Sequence, residues 1–469
     1  MSPGAVPIAI IAGIVGLGSG IGFWAGRKRP LNLEEWVVAG RGLGLVLVWL
    51  LTAGELFTVF SLLGLSGWIY SRGGPTLYIL AYTTLAQVVG FFLLPAIWEH
   101  GRAHGIQTQP DFFVQRYGSP LLGAFVALAG VFFLILYLQL QLTGLGIIVQ
   151  AASFERIGRA PAMLAAAALV AAFVFTSGVR GVAWVSVLKD FLLVAAVFVI
   201  GLSLPYIHFG GIGPMFAAVA GAKPGHLTMP GATANLGHSW YVSTVLLTSL
   251  SFTWPHIFGS AFTAKSGDTL RWNAVIMPFY VIPLMLIIFV GCAAILVVPH
   301  LANGDLALLM VVRRTFPPWI LGVVGGAGAL TAMVPAAIQI LTASTLLAKN
   351  LCRPVFSPAM TDQQVARLAR IAVVAITAIA LVLAMNSSAT LVGLLLMAYA
   401  GVGQFFPGIV LGLYSERVTA AGIFTGMAAG FSLVAFLILT HRDPFHGISA
   451  GFVALVVNFA LVAAVSFLG

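Results

Sequence analysis

Thirteen mostly apolar runs follow one another along the chain, each near or above the roughly 20 residues that a helix needs to cross a bilayer. They fall at 6–26, 43–70, 76–98, 120–152, 160–178, 183–205, 238–258, 274–300, 319–349, 366–385, 388–414, 420–440 and 448–468, and are called spans 1 to 13 below. In hydrocarbon every backbone polar group must be satisfied within its own segment or barrel, so runs of this length predict an all-α polytopic bundle. Composition agrees: only 7% of the residues are charged, against roughly a quarter in a soluble domain. A net charge of +10 does not make this a nucleic-acid binder, because the bases stand singly or in small groups between apolar runs, where they set topology. The two cysteines, Cys292 and Cys352, form neither a disulfide framework nor a metal-ligand spacing. No nucleophile–base pair or metal cluster points to an enzyme, and no metal or cofactor is expected. Span 1 lacks a basic leader and is followed by Arg27, Lys28 and Arg29, which reads as a retained helix, not a cleaved signal peptide.

With the amino terminus outside, the inside loops collect fourteen Lys and Arg residues and the outside loops seven. That bias predicts a multi-pass protein of the cell inner (plasma) membrane with its carboxyl terminus in the cytoplasm. The remaining base, Lys189, lies within span 6.

Three spans carry groups that hydrocarbon penalises, and such groups normally face a cavity or another helix. Span 2 contains TAGELFTVFSLLG (52–64), with Gly54 beside Glu55. Span 7 contains TWPHIF (253–258), where Pro255 removes a backbone donor next to His256. Span 9 carries Pro335 deep within MVPAAIQILTASTLLAKNL (333–351). Spans 2 and 7 are five apart, the spacing of two five-helix units repeated with inverted topology, whose broken helices meet at the solute site. The division expected is a single transmembrane domain over 1–469, with core repeats at about 43–205 and 238–414 and peripheral helices at 6–26, 420–440 and 448–468. Plainer readings stand beside this one. Pro and Gly kink many membrane helices, Glu55 and Lys189 could snorkel to water, and His256 could bond a carbonyl. Asp190 faces another side of span 6, and Gln139 and Gln141 could bond between helices.

Together these segments resemble the sodium/solute symporter family. The resemblance covers nearly the whole chain and includes the acidic, Gly-flanked span 2 and QTQPDFFVQRYGS (107–119) after span 3. It continues through SGVRGVAWVSVLKD (177–190), AKSGDTLRWN (264–273) and FFPGIVLGLY (405–414). Sodium-coupled members typically place a Ser-Thr pair in span 9 against carbonyls of broken span 2, but Val334 and Pro335 stand there. In span 6 the family's Thr-Asp followed by Gln is replaced by Val185, Ser186 and Lys189. An ammonium near a cation site repels the ion by about 4 kcal/mol at 4 Å even at an effective dielectric of 20. The resemblance therefore implies that Lys189 takes the cation's place, bonding span 2 carbonyls around Ala53 and Leu56 and approaching Val334. This pattern looks like the monocarboxylate permease branch, which takes up pyruvate, lactate, acetate or propionate, some members being driven by protons.

The expected function is proton-linked import of a small organic anion, with sodium the less favoured coupling ion. Burial disfavours the charged form of either group, which makes Lys189 and Glu55 a candidate coupling pair. Gly54, Glu55, Thr58, Trp254 and His256 are the expected substrate contacts, with Gln141 and Gln404 as weaker ones. Two alternatives stay open: a sodium-coupled symporter of an amino acid or other solute, and a transporter-like sensor. The last span runs to the end of the sequence, so the sensor would need a separate signalling partner.

Overall fold

The computed structural model describes residues 4–26, 37–232 and 234–467. Arg27, Lys28 and Arg29, counted above for topology, lie outside that set. Among the described residues the regular structure is helical apart from two isolated backbone bridges. The helices are α1 Ala5–Gly26, α2 Leu45–Leu56, α3 Leu65–Arg72, α4 Tyr78–Ala103, α5 Gln109–Tyr117, α6 Pro120–Ala152 and α7 Arg159–Phe209. They continue with α8 Ile212–Ala222, α9 His238–Thr248, α10 Pro255–Ala261, α11 Gly267–Ile276, α12 Val281–Val297 and α13 Ala307–Thr315. The last six are α14 Pro318–Thr345, α15 Asp362–Asn386, α16 Leu391–Val402, α17 Phe406–Tyr414, α18 Ala420–Leu439 and α19 Ala450–Phe467.

Ten of the helical segments are long and apolar enough to cross a membrane, or eleven if the bent pair α2–α3 counts as one span. The thirteen expected exceed this because the chain is interrupted in spans 2, 5 and 7. Span 2 is cut after Leu56, and its halves meet at 52°. Span 5 is the short apolar helix Arg159–Phe175, joined to span 6 through Gly178, whose φ of 59° and ψ of −173° favour glycine. Span 7 is split into α9 and α10 by a turn over Ser251–Thr253.

The local chemistry explains the two central cuts. At span 2, Thr58 Oγ1 accepts from Phe60 N at 3.1 Å, and Ser61 Oγ donates to the Leu56 carbonyl at 2.5 Å. Short hydroxyl side chains compete in this way with the helical ladder. At span 7, Ser249 and Thr253 each donate to a carbonyl three residues back, at 2.7 Å. Trp254 is extended, as the residue before a proline prefers, and Pro255 opens α10 where its missing N–H costs nothing.

At the centre of the bundle α14 packs on α1, α6 and α7. Its small-residue face is filled from within the chain: Gly322 lies against Pro7 and Ile10, and Gly326 against Ile14. Small residues let these helices approach closely without a hydrophobic drive between them.

Candidate transport site

The two cuts face each other. Glu55, in the last turn of α2, and His256, in the first turn of α10, approach to 3.0 Å between Oε2 and Nε2. Both side chains are buried, with Glu55 4% and His256 1% exposed. The contact is a close approach of charge-bearing groups without hydrogen-bond geometry, and none of the four atoms Glu55 Oε1 and Oε2 and His256 Nδ1 and Nε2 has a hydrogen-bond partner among the described residues.

A second acid–base pair lies on the other flank of span 2. Lys189 Nζ, fully buried, sits 2.9 Å from Asp190 Oδ1 and donates to the Phe57 carbonyl at 3.3 Å. Gly54 makes that approach possible. A methyl group there would meet Ser186 Oγ at 3.1 Å, Lys189 Nζ at 3.4 Å and a Val334 methyl at 3.5 Å. Gly54, Ser186, Lys189 and Val334 therefore converge on one point of the chain. Pro335 lies beside it within α14, which runs on unbroken to Thr345.

Aromatic rings wall the Glu55–His256 pair. Trp254 lies 4.8 Å from Tyr137, 5.5 Å from His256 and 5.4 Å from Tyr399, centroid to centroid. From Tyr399 the rings continue through Tyr82 and Tyr78 to Trp68 and Trp240. Gln141 stands one helical turn from Tyr137, on the same face of α6, buried with neither amide atom bonded. Gln339 of α14 is in the same condition.

Toward the α5 end a cleft of about 20 Å³ reaches His256 between Gln107, Thr108, Ser260, Thr342 and Thr345, room for roughly one water. A polar latch closes it. Asp111 receives Lys349 Nζ at 2.7 Å and Asn350 Nδ2 at 2.7 Å. It also receives the backbone N–H groups of Gln107 and Thr108, and Thr108 Oγ1 meets Asn350 Oδ1 at 3.0 Å. Gln109 Nε2 donates at 2.7 Å to Thr253 O, a carbonyl left at the span 7 cut. Burial pushes the Asp111 carboxyl up, but the Lys349 ammonium and these bonds outweigh it and hold it below the ordinary value.

The geometry corrects several expectations. Glu55 does not pair with Lys189; the structure sorts the four groups into Glu55–His256 and Lys189–Asp190. Asp190, expected to face elsewhere, is within reach because the long lysine stem folds back. Lys189 meets Phe57 O in place of the carbonyls around Ala53 and Leu56, which accept from Phe57 N and Ser61 Oγ. Thr58 caps the second half of span 2. Gln404 is committed elsewhere: its amide donates to Ala400 O and Gly451 O, and its Oε1 accepts from Asn458. Gln109, Tyr399 and Gln339 were not singled out from the sequence, and Asp190 was assigned to another face of span 6. A polar residue inside an apolar run would have flagged Gln339.

Two interrupted spans, facing each other across a buried polar cluster within a helical bundle, define a membrane solute carrier and not an enzyme. The model of the Sodium:solute symporter family matches residues 36–430, and the chain belongs to that family. It is a multi-pass secondary transporter of a small solute. Over 98% of its length the chain is 41% identical to an uncharacterized symporter, YhjB, of Bacillus subtilis, covering 96% of that protein. It is 27% identical to a monocarboxylate transport permease protein of Rhizobium johnstonii, over 95% of this chain and 93% of the relative. Among solved structures, a Na⁺-coupled sialic acid symporter in a substrate-bound outward-open state superposes with a TM-score of 0.82. That match covers 99% of this chain and 98% of the other at 16% identity, so it speaks for the fold alone: a five-plus-five inverted-repeat core.

Proposed function

We propose that the protein imports a short monocarboxylate together with a proton across the cell inner membrane, with Lys189 standing in for a coupling sodium ion. In this reading the amino terminus is outside and the carboxyl terminus and α5 are cytoplasmic. The observation that carries it is the ammonium of Lys189 held at the span 2 cut, bonded to Phe57 O and beside Gly54 and Val334. A fixed positive charge there does the electrostatic work of a bound cation, tying span 2 to span 6. Resemblance to the monocarboxylate permease supports the substrate class.

The carboxylate binds against His256 and the N-terminus of α10, where freed N–H groups suit an anion, with Trp254 and Tyr137 on its apolar side. The unbonded amides of Gln141 and Gln339 are further donors. Carrying a proton with the anion makes the cycle electroneutral and avoids about 2.3 kcal/mol per charge for each 100 mV of opposing potential. Glu55–His256 and Lys189–Asp190 are the two pairs able to hold that proton.

Sodium coupling is the competing reading, favoured by the family and by the sialic acid symporter's Na⁺ dependence. Uptake of pyruvate, lactate, acetate and propionate into proteoliposomes, under separately imposed proton and sodium gradients, decides between them. The proposal expects accumulation with a proton gradient alone.

A further inference from the structure

The opposite end of the bundle from α5 holds a cavity of about 370 Å³ that the transport site does not use. Arg72 comes to it from α3, Thr143 from α6, Arg159 from the start of α7, Asn303 and Asp305 from the turn before α13, and Thr390 from the loop before α16. Its polar groups are unevenly satisfied. The Thr143 hydroxyl is buried, 2% exposed, with no partner, and Arg159 Nε is buried without one. Asp305, also 2% exposed, uses Oδ2 to accept from Leu391 N at 3.1 Å, at the first turn of α16. Two arginines, Arg72 and Arg159, line the cavity with one carboxylate, which is already bonded and feels the Arg159 charge. The surplus is positive, and the free donors are an arginine N–H and a hydroxyl.

A neighbouring cavity of about 340 Å³ shares Trp68 and Arg72 with this one. Trp68 is also where the aromatic column from Trp254 ends. The aromatic column from Trp254 through Tyr399, Tyr82 and Tyr78 to Trp68 stands between this cavity and the Glu55–His256 site.

We propose that this cavity is an outer loading site for a small carboxylate, held by Arg159 and Arg72 with the Thr143 hydroxyl as a further donor, before Trp68 moves aside. The direction of loading rests on the proposed import of a monocarboxylate; the anion site itself does not. Guanidinium groups recognise carboxylates through two parallel N–H bonds, and the surrounding low dielectric strengthens the attraction. Asp305 sets its pH dependence. Burial pushes the Asp305 carboxyl up to about 6, against the lowering effects of the Leu391 N–H bond and the Arg159 charge. Its protonation leaves Arg159 to the ligand, so binding strengthens as pH falls through that value. The other titratable groups nearby are His441 and Asp443 in the adjoining cavity and the Glu155–Arg313 pair on the neighbouring loops.

The test uses the full-length protein in nanodiscs and trifluoroacetate as the probe, an anion ionised at every pH used, with its ¹⁹F line width as readout. Saturable broadening is expected in wild type, and a saturable component is expected to survive in His256→Ala, which removes only the deeper site. Arg159→Gln and Thr143→Val weaken binding about tenfold, the size of a lost charge-assisted bond, while Arg159→Lys recovers part of it. Asp305→Asn binds at pH 7.5 as wild type does near pH 5.5. Broadening untouched by Arg159→Gln in a protein of unchanged thermal stability, or abolished by His256→Ala alone, overturns the proposal. Failure of proton-driven uptake with these binding results intact would count against the transport reading and leave the loading site standing.

Discussion

Glu55 Oε2 and His256 Nε2 lie 3.0 Å apart across two different interrupted spans, so this contact links the two halves of the transport site. Cutting it from either side removes the same link. His256→Ala is expected to raise the apparent KM for the monocarboxylate about tenfold, the cost of one charge-assisted bond. It also strands a buried carboxylate, which lowers abundance; adding Glu55→Gln removes that charge and restores abundance without restoring KM. The double variant transports no worse than the worse single one, because both changes act on one interaction. Initial uptake rates normalised to reconstituted protein measure this, and strictly additive losses would separate the two residues.

Gly54 is where span 2 makes room for the ammonium. Gly54→Ala places a methyl 3.1 Å from Ser186 Oγ, which must shift by a few tenths of an ångström, and 3.4 Å from Lys189 Nζ. Uptake is expected to fall about tenfold or more, as for an overpacked site that costs 1–3 kcal/mol. Removing the obstructing oxygen with Ser186→Ala should return part of the rate. Uptake by Gly54→Ala equal to wild type would show that the ammonium does not need this approach.

Much of this was readable from the chain. Hydropathy placed the membrane runs, and Gly54 and Pro255 marked the two central cuts, while Pro335 lies in a helix that runs on through it. Partner choice was not readable. Whether Glu55 meets Lys189 or His256 depends on the rotation and depth of three helices, and no local pattern encodes that. The same holds for Gln404, whose in-span amide looks like a ligand but is consumed by α19 and the backbone of α16. Among the described residues ten or eleven of the thirteen runs are continuous helices of spanning length, because spans 2, 5 and 7 are bent or shortened, which hydropathy does not see.

The Asp111–Lys349 latch has a definite pH signature. The folded carboxyl is held below its ordinary value, so its contribution is complete above the unfolded value of about 3.9 and is lost as pH falls through the folded one. The latch is therefore unaffected between pH 5 and 8, a range chosen for assay. Asp111→Asn loosens it at every pH in that range. With Cys292 and Cys352 replaced by Ser, a Thr342→Cys reporter in the cleft should react faster with maleimide from the α5 side once Asp111→Asn is added. An unchanged labelling rate would remove Asp111 from the closure.

Gly178 joins spans 5 and 6 in a backbone region that L residues rarely adopt. Gly178→Ala is expected to cost about 1–3 kcal/mol, read as a lower Tm in detergent. A Tm equal to wild type would mean that the joint relaxes to another conformation.

Uptake by proteoliposomes carrying wild type or Lys189→Gln, measured with an imposed proton gradient and then an imposed sodium gradient, tests most directly whether Lys189 replaces the coupling ion. Wild type should accumulate monocarboxylate with the proton gradient and without sodium. Lys189→Gln should lose that accumulation yet keep exchange of internal for external substrate, because exchange does not require return of the empty carrier. Wild-type uptake that needs sodium and ignores the proton gradient, or unchanged proton-driven accumulation by Lys189→Gln, would contradict the account.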